Sequence, residues 1–427
     1  MTVMRSYRAP KGMQDWTPDE QRYYRWIDET ARAQVARYGF LPLTTPIVEL
    51  TELFARGVGT GTDIVEKEMY SFETRGNEQL TIRPEFTAGM MRAYVEHGMH
   101  NLPQPVKLYA IGPLLRYERP GMGRYRQHTQ LSVEAVGEDD PALDAELMTV
   151  AAEIFEALGI GQLRFLLNSI GCPACRPHYV NSVLVPWLEA QREHLGETDQ
   201  MRLEKNPLRV LDTKDAKVRA LLVDVPLLAD YLCDDCRDHF DALRGYLDRL
   251  GRPYVVDPLL VRGFDYYTKT VFEVQSDALD TANNTLCGGG RYDGLIELLG
   301  GQPTPAIGFG LGFERARLVL EELEIVPPPL PETQLFALWF DDATKKRAFD
   351  TVAALRQAGF RAELAYARGK RSFKSQMRAA DKSPAQFVLI FGERELAERA
   401  INVKEMSSGA QQRVPLDELT EWLRARL

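Results

Sequence analysis

Four prolines in five residues, Pro327-Pro328-Pro329-Leu330-Pro331, constrain the fold of this 427-residue chain more than any other stretch. Proline lacks a backbone N–H and fixes φ, so neither a helix nor a sheet ladder runs through such a segment. It predicts a stiff, polyproline-like linker between a long body and a module of roughly 100 residues. No apolar run approaches the roughly 18 residues of a membrane-spanning helix. Residues 1–15 are charged and lack the apolar centre of a secretory signal. Five cysteines are too few, and odd in number, for a disulfide framework, so a cytoplasmic location is expected.

The formal net charge of -9 argues against a nucleic-acid partner until it is divided at the linker. Pro331 to Leu427 carries 17 Lys and Arg against 13 Asp and Glu, a net of +4. The remainder has 35 against 48, a net of -13. Within the basic module, Arg368, Lys370, Arg371 and Lys374 fall in seven residues, and Arg378 follows about one helical turn after Lys374. These cations are candidates for contacts to a phosphate backbone. A solvated helix face is the plain alternative.

Thr17-Pro18-Asp19-Glu20 combines an N-cap, a proline at the first helical position and a capping-box acid. Apolar residues at Tyr23, Ile27, Ala31, Val35 and Tyr38 then follow a helical period. Strand-like runs are expected at 79–83, 106–112, 131–137, 165–169, 259–261 and 270–275. They are separated by irregular loops rather than βαβ spacing, which predicts an antiparallel or mixed sheet. Between Cys172 and Gly251 the pattern turns helical, as for an insertion into that sheet. After the linker, strands at 335–340, 362–366, 387–391 and 401–406 alternate with helices at 343–358, 373–380 and from 417, a small α/β pattern.

Gly57-Val58-Gly59-Thr60-Gly61 and Gly288-Gly289-Gly290-Arg291-Tyr292-Asp293-Gly294 lack the Gly-Lys-Ser/Thr ending of a phosphate loop. Gly308, Gly310 and Gly312 read as a turn that follows a strand and opens a helix. Their spacing is not that of a dinucleotide fingerprint. Arginines cluster more tellingly. Arg116, Arg119, Arg124 and Arg126 sit in eleven residues of a strand, loop and returning strand, where planar guanidinium groups suit a polyphosphate or a carboxylate. On the returning strand Gln130, Ser132 and Glu134 alternate with Leu131 and Val133, so three polar side chains share one face. Val261-Arg262-Gly263-Phe264-Asp265-Tyr266-Tyr267-Thr268 places a cation, an acid and two phenols beside a glycine, and Arg83-Pro84-Glu85-Phe86-Thr87 completes the set.

Together these segments resemble the class II aminoacyl-tRNA synthetases, and within them the histidyl-tRNA synthetases. Residues 41–54, 109–137 and 306–315 resemble motifs 1, 2 and 3 of the class. Residues 260–270 and 287–295 resemble the two stretches that mark the histidine enzymes. The resemblance implies an α+β catalytic domain with a mixed or antiparallel sheet carrying a helical insertion, followed by a small α/β C-terminal domain. It implies a catalytic core over 1–171 and 254–326, an insertion over 172–253, a proline-rich linker over 327–333 and an anticodon-binding domain over 334–427. L-histidine, ATP with Mg²⁺ and tRNA(His) are the implied ligands, a homodimer the implied assembly, and ligation of histidine to that tRNA the implied activity.

Carried over position by position, Glu85, Thr87 and Gln130 hold the amino group of histidine. Glu134 and Tyr266 read its imidazole, and Tyr267 and Tyr292 line the pocket, which Phe86 adjoins. Arg116 and Arg262 flank the α-phosphate as the catalytic pair, Arg124 reaches the terminal phosphates, and His128 and Arg315 stack on adenine. Two positions depart from the family pattern: glycine commonly stands where this chain has Phe86, and phenylalanine where it has His128. A synthetase-like regulatory subunit is the rival reading, but such proteins lack the C-terminal domain and usually the ATP-binding arginines. A nicotinamide dehydrogenase built on the Gly308 stretch leaves the arginine motifs unexplained.

The cysteines carry a separate signal. Cys172-Pro173-Ala174-Cys175 and Cys233-Asp234-Asp235-Cys236 bound the insertion, 57 residues apart. Two such pairs suit either a structural Zn²⁺ or four unliganded thiols. His178 and His239 lie nearby and are expected on the surface, and Cys287 is expected as a small packing residue.

Overall fold

The computed structural model describes residues 7–59, 62, 64–279, 284–367 and 372–427. The chain divides into two compact units, Met1–Pro327 and Pro328–Leu427. Among the described residues, no helix is long and apolar enough to cross a membrane.

The first unit is built on an eight-stranded sheet. In chain order its strands are β1 (Leu41–Pro42), β5 (Val106–Leu115), β6 (Gln127–Val136), β7 (Leu163–Ser169), β8 (Tyr254–Val256), β9 (Thr268–Ser276), β10 (Thr285–Arg291) and β11 (Ala306–Gly312). They lie in the order β1-β5-β6-β11-β10-β9-β7-β8. The six inner strands are antiparallel, and a parallel strand is added at each edge. A smaller sheet joins β2 (Val48–Leu50), β3 (Tyr70–Glu73) and β4 (Gln79–Ile82).

Alternation decides which face of the large sheet is buried. Leu131, Val133 and Ala135 of β6 and Ile307, Phe309 and Leu311 of β11 enter one apolar core beneath the helices Pro18–Arg37, Pro141–Ala157 and Phe313–Glu322. Ile27, Ala31 and Val35 supply the buried stripe of the first helix. The backbone N–H of Thr17 donates to Glu20 Oε2 at 2.9 Å, which satisfies one of that helix's orphan donors.

The insertion is helical, as its sequence predicts, and most of it packs around a core of its own with Tyr179, Leu184, Leu188, Val210 and Val218. Its last helix, Asp234–Arg249, belongs as much to the main body, because Leu243 and Leu247 join the sheet's core. Residues 259–261 are not the strand their sequence suggests. Asp257 accepts the N–H of Leu259 on Oδ1 and that of Leu260 on its carbonyl, both at 3.0 Å, which turns the chain just after β8.

The second unit has five strands: β12 (Leu335–Trp339), β13 (Ala362–Leu364), β14 (Phe387–Phe391), β15 (Ala400–Glu405) and β16 (Gln411–Pro415). Their order is β13-β12-β14-β15-β16, parallel on the first side and antiparallel on the second. Strand β16 is absent from the sequence reading. It is a polar edge with only Val414 buried, so it shows no apolar period.

Candidate functional site

On the face of the sheet opposite the core lies a cleft of about 780 Å³. Its floor follows from a pairing of side chains with glycines. Glu134, Ser132 and Gln130 of β6 stand opposite Gly308, Gly310 and Gly312 of β11. A methyl group on Gly308 would overlap the Glu134 carboxylate, and one on Gly310 would meet the Gln130 amide. The glycine triplet is therefore a strand that leaves room for its neighbour's polar side chains, rather than the turn expected from its sequence. Gly288 of β10 does the same for the Arg262 guanidinium. Of the first glycine run, Thr60 and Gly61 lie outside the described residues.

The cleft is lined by Glu85, Thr87, Gln130, Tyr266, Tyr267 and Tyr292. Glu85 precedes the helix Thr87–Glu96 and accepts the N–H groups of Thr87 at 2.5 Å and Ala88 at 2.8 Å. Glu134 lies just behind this lining. It accepts the Thr87 and Ser132 hydroxyls at 2.8 Å each, and the Tyr292 hydroxyl. Burial pushes its carboxyl up to about 7, against the pull of these donors. Burial likewise raises Glu85 and both Tyr266 and Tyr292.

Phe86 is not among the residues that line the cleft, though it shares a buried cluster with Tyr292. Its ring is buried beside Met90, Met91 and Tyr94, with the Arg83 guanidinium 4.4 Å from its centroid. The crowding that a phenylalanine at this position suggests is avoided because the ring packs into the core.

The same cleft is lined by Arg116, Arg124, His128, Arg262 and Arg315, and the Arg262 guanidinium lies 6.0 Å from the Tyr267 ring centroid. Arg116 is oriented by the Pro84 carbonyl at 2.8 Å and Arg315 by the Thr285 carbonyl at 2.6 Å. Arg262 donates to Glu273 Oε1 at 2.5 Å, while its buried Nε has no partner. Burial, then Arg116 and Arg315, push the His128 imidazole down to about 3, so it presents a flat, neutral ring at physiological pH. The backbone N–H of Thr129 donates to both oxygens of Glu314, which anchors the motif-2-like strand to the helix Phe313–Glu322.

Sequence reasoning missed the insertion's share. Asp212, Lys214 and Arg219 also line the cleft. Burial, then Arg124, lower the Lys214 ammonium, so this lysine lies in the field of the cleft's arginines. Nothing local marks these residues, because only the folding of the insertion over the sheet brings them there.

The cysteine pairs, 57 residues apart in sequence, converge, with all four Sγ atoms within 4.8 Å of one another. His239 corrects its surface expectation. It is buried, with Nε2 2.9 Å from Asp144 Oδ2. His178 is exposed and Cys287 is buried in β10, both as expected. Of the basic cluster, Arg368, Lys370 and Arg371 lie outside the described residues, while Lys374 and Arg378 are exposed on the helix Phe373–Asp381.

Comparison with known proteins accords with this geometry. Residues 12–172 and 191–316 match a family model described as histidyl-tRNA synthetase. Over the full length of both chains, 47% of residues are identical to a histidine–tRNA ligase of Nocardia farcinica. The chain belongs to the histidyl-tRNA synthetase family. Residues 330–426 match an anticodon binding domain. A histidine–tRNA ligase of a Geobacillus species is 44% identical over 99% of this chain and all of its own. The crystal structure of apo Staphylococcus aureus histidyl-tRNA synthetase superimposes with a TM-score of 0.82 at 35% identity, covering 98% of this chain and 99% of that one. The likeness to histidine–tRNA ligases thus extends through the cleft, the insertion and the second unit.

Proposed function

We propose that the chain ligates L-histidine to tRNA(His) at the expense of ATP, in protein synthesis, and that the cleft performs the chemistry in two steps. A carboxylate oxygen of histidine attacks the α-phosphorus of ATP in line. The bond to the bridging oxygen breaks, and pyrophosphate leaves histidyl-adenylate behind. The 3′ hydroxyl of the tRNA's terminal adenosine then attacks the activated carbonyl, and AMP departs. Neither step needs a protein nucleophile. The chain contributes position and fixed charge, the two effects that dominate phosphoryl and acyl transfer of this kind.

Glu85, Thr87 and Gln130 hold the ammonium group. Glu134 and Tyr266 read the imidazole: a carboxylate has about four lone-pair positions, three of which serve hydroxyls here, leaving one for a ring N–H. A side chain without that N–H leaves a buried acceptor unpaired, which is the strongest basis for rejection. Arg116 and Arg262 stabilise charge on the α-phosphate and Arg124 holds the terminal phosphates, while His128 and Arg315 enclose adenine. Mg²⁺ on the nucleotide phosphates supplies further charge neutralisation, and Glu118 and Glu273 are carboxylates of the lining close to the arginines.

Residues 1–171 and 254–326 form the catalytic body on this reading, and 334–427 bind the anticodon, with Arg368, Lys370, Arg371 and Lys374 contacting tRNA phosphates. A second copy covers the exposed Leu41, Ile47 and Leu50 of the motif-1-like segment to form a homodimer. The cytoplasm is the site of action. Cys172, Cys175, Cys233 and Cys236 hold a structural Zn²⁺.

One observation carries the reading. A single cleft holds buried acceptors and phenols together with arginines and a neutral imidazole. Histidine-dependent exchange of pyrophosphate into ATP, followed by charging of bulk tRNA with histidine, tests it. A pure, folded sample that exchanges nothing on adding histidine overturns it.

A further inference from the structure

We infer that Zn²⁺ bound by the four thiols of the insertion also fixes the Tyr266–Tyr267 segment of the amino-acid pocket, so that metal occupancy sets the affinity for histidine. The second half of this inference rests on the histidine reading of the cleft.

The geometry of the thiols is specific. Cys172 Sγ lies 3.8 Å from both Cys175 Sγ and Cys233 Sγ, and Cys175 Sγ lies 3.8 Å from Cys236 Sγ. Tetrahedral Zn²⁺ with Zn–S bonds of about 2.3 Å separates its sulfurs by about 3.8 Å. Two disulfides would require about 2.05 Å. The Cys172 N–H donates to Cys175 Sγ at 3.3 Å, which closes the first Cys-x-x-Cys turn around its own sulfur. Cys233 is the N-cap of the helix Asp234–Arg249, whose positive end favours the negative charge of a tetrathiolate.

Three hydrogen bonds join the first turn to the pocket. The Gly171 carbonyl accepts the Lys269 N–H at 2.9 Å and the Thr268 hydroxyl at 3.1 Å, and Arg176 Nη1 donates to the Tyr267 carbonyl at 2.6 Å. Gly171 abuts the thiol cluster so closely that a methyl group there would lie 2.9 Å from Cys175 Sγ. Lys269 has φ of 49°, a conformation that a side chain other than glycine rarely adopts without external restraint. Residues 267–269 are thus held at the start of β9 both by the sheet, where Thr268 pairs with Arg291, and by a turn whose shape the metal fixes. Without metal, only weak S–H···S contacts join the two cysteine pairs, and the turn, its Arg176 and the pocket tyrosines loosen together.

The test is made on the full chain purified without chelator. Elemental analysis should find a single zinc per chain, and a sample with less than a tenth of that overturns the metal. Calorimetric titration with histidine alone should show affinity weakened about fivefold or more in the Cys233→Ser/Cys236→Ser double variant and after chelation, with affinity for ATP unchanged. Arg176→Ala should retain its zinc and show the same weakening, which separates the tether from loss of folding. Zinc present with histidine affinity unchanged in Arg176→Ala overturns the coupling. A zinc-loaded wild-type chain that binds no histidine fails the histidine reading and leaves the metal assignment standing.

Discussion

Arg291 and Asp144 are both fully buried, and Nη2 and Nε of the arginine converge on Oδ1 of the acid at 2.6 and 2.8 Å, with Nε also 3.1 Å from Oδ2. The pair ties β10, which borders the cleft, to the helix Pro141–Ala157 beneath the sheet. His239 and the Thr270 hydroxyl reach the other carboxylate oxygen, at 2.9 and 2.6 Å. Burial raises the Asp144 carboxyl, but Arg291 and then His239 outweigh it and hold it below its ordinary value. Asp144→Asn should therefore destabilise the first unit by about 3–5 kcal/mol, because buried Arg291 loses its nearest counter-charge and keeps only the more distant Asp293, at 3.5 Å. The sign with pH follows from the depressed value. This contribution is present above the unfolded pKa of about 3.9 and is lost as pH falls below it. Denaturant unfolding at pH 7 and across the acid range checks both statements.

Gly308→Ala adds one carbon at the point where Glu134 lies. The carboxylate is the more mobile party, so it should swing away from the Tyr292 hydroxyl, and β11 should also shift slightly from the Val133 carbonyl, which the added carbon would meet at 2.7 Å. Overpacking of this kind costs about 1–3 kcal/mol, and the imidazole-reading acceptor is displaced with it. The Michaelis constant for histidine should rise at least tenfold with that for ATP little changed. Equal effects on both would show that the substitution disturbs the cleft as a whole.

On the proposed reading of the cleft, Glu134 should make histidine recognition depend on pH. Its carboxyl is raised to about 7, so its contribution to stability is present below about 4.5 and is lost as pH rises through about 7. Recognition runs the other way, because only the ionised carboxylate is a pure acceptor. Histidine affinity should strengthen across that same titration, and Glu134→Gln should flatten the profile to the titration of histidine itself. Calorimetry of the two proteins between pH 6 and 8 distinguishes them; superimposable profiles sink the role.

Lys374 and Arg378 project from one helix of the second unit. Replacing both with glutamine should weaken charging of tRNA and flatten its salt dependence by about two phosphate contacts, while histidine-dependent exchange stays at the wild-type rate. A parallel fall in exchange would mean that the pair supports the fold.

The sequence revealed the parts of this architecture whose cause is local. The β6 alternation of Gln130, Ser132 and Glu134 with apolar neighbours announced both a strand and its two faces, and Ile27, Ala31 and Val35 announced a buried helix stripe. Where the cause is a neighbour, the local pattern misled. Glycines of β10 and β11 have the least strand propensity in the chain, yet they form central strands because Glu134, Gln130 and Arg262 occupy the space their side chains would fill. His239 looked like a surface residue because its partner, Asp144, is 95 positions away. Lys214 went unnoticed for the same reason: its place beside the arginines depends on how the insertion folds over the sheet.

Arg262 offers the sharpest test of the proposed chemistry. Its Nη1 is committed to Glu273, its Nε is buried without a protein partner, and Gly288 leaves the space it occupies. Such a buried, oriented donor costs stability in the free protein and is compensated only when an anion arrives. Arg262→Ala should leave folding nearly intact, since Glu273 keeps the Thr285 hydroxyl at 2.8 Å. It should slow histidyl-adenylate formation by about 10²–10³-fold, the loss typical of one preorganised charge-stabilising donor. Arg262→Lys should recover little, because an ammonium group cannot hold Glu273 and offer a second planar N–H in the same geometry. Single-turnover measurement of pyrophosphate release, with thermal melts as the folding control, decides the matter. Near-normal release from Arg262→Ala would remove this arginine from the reaction.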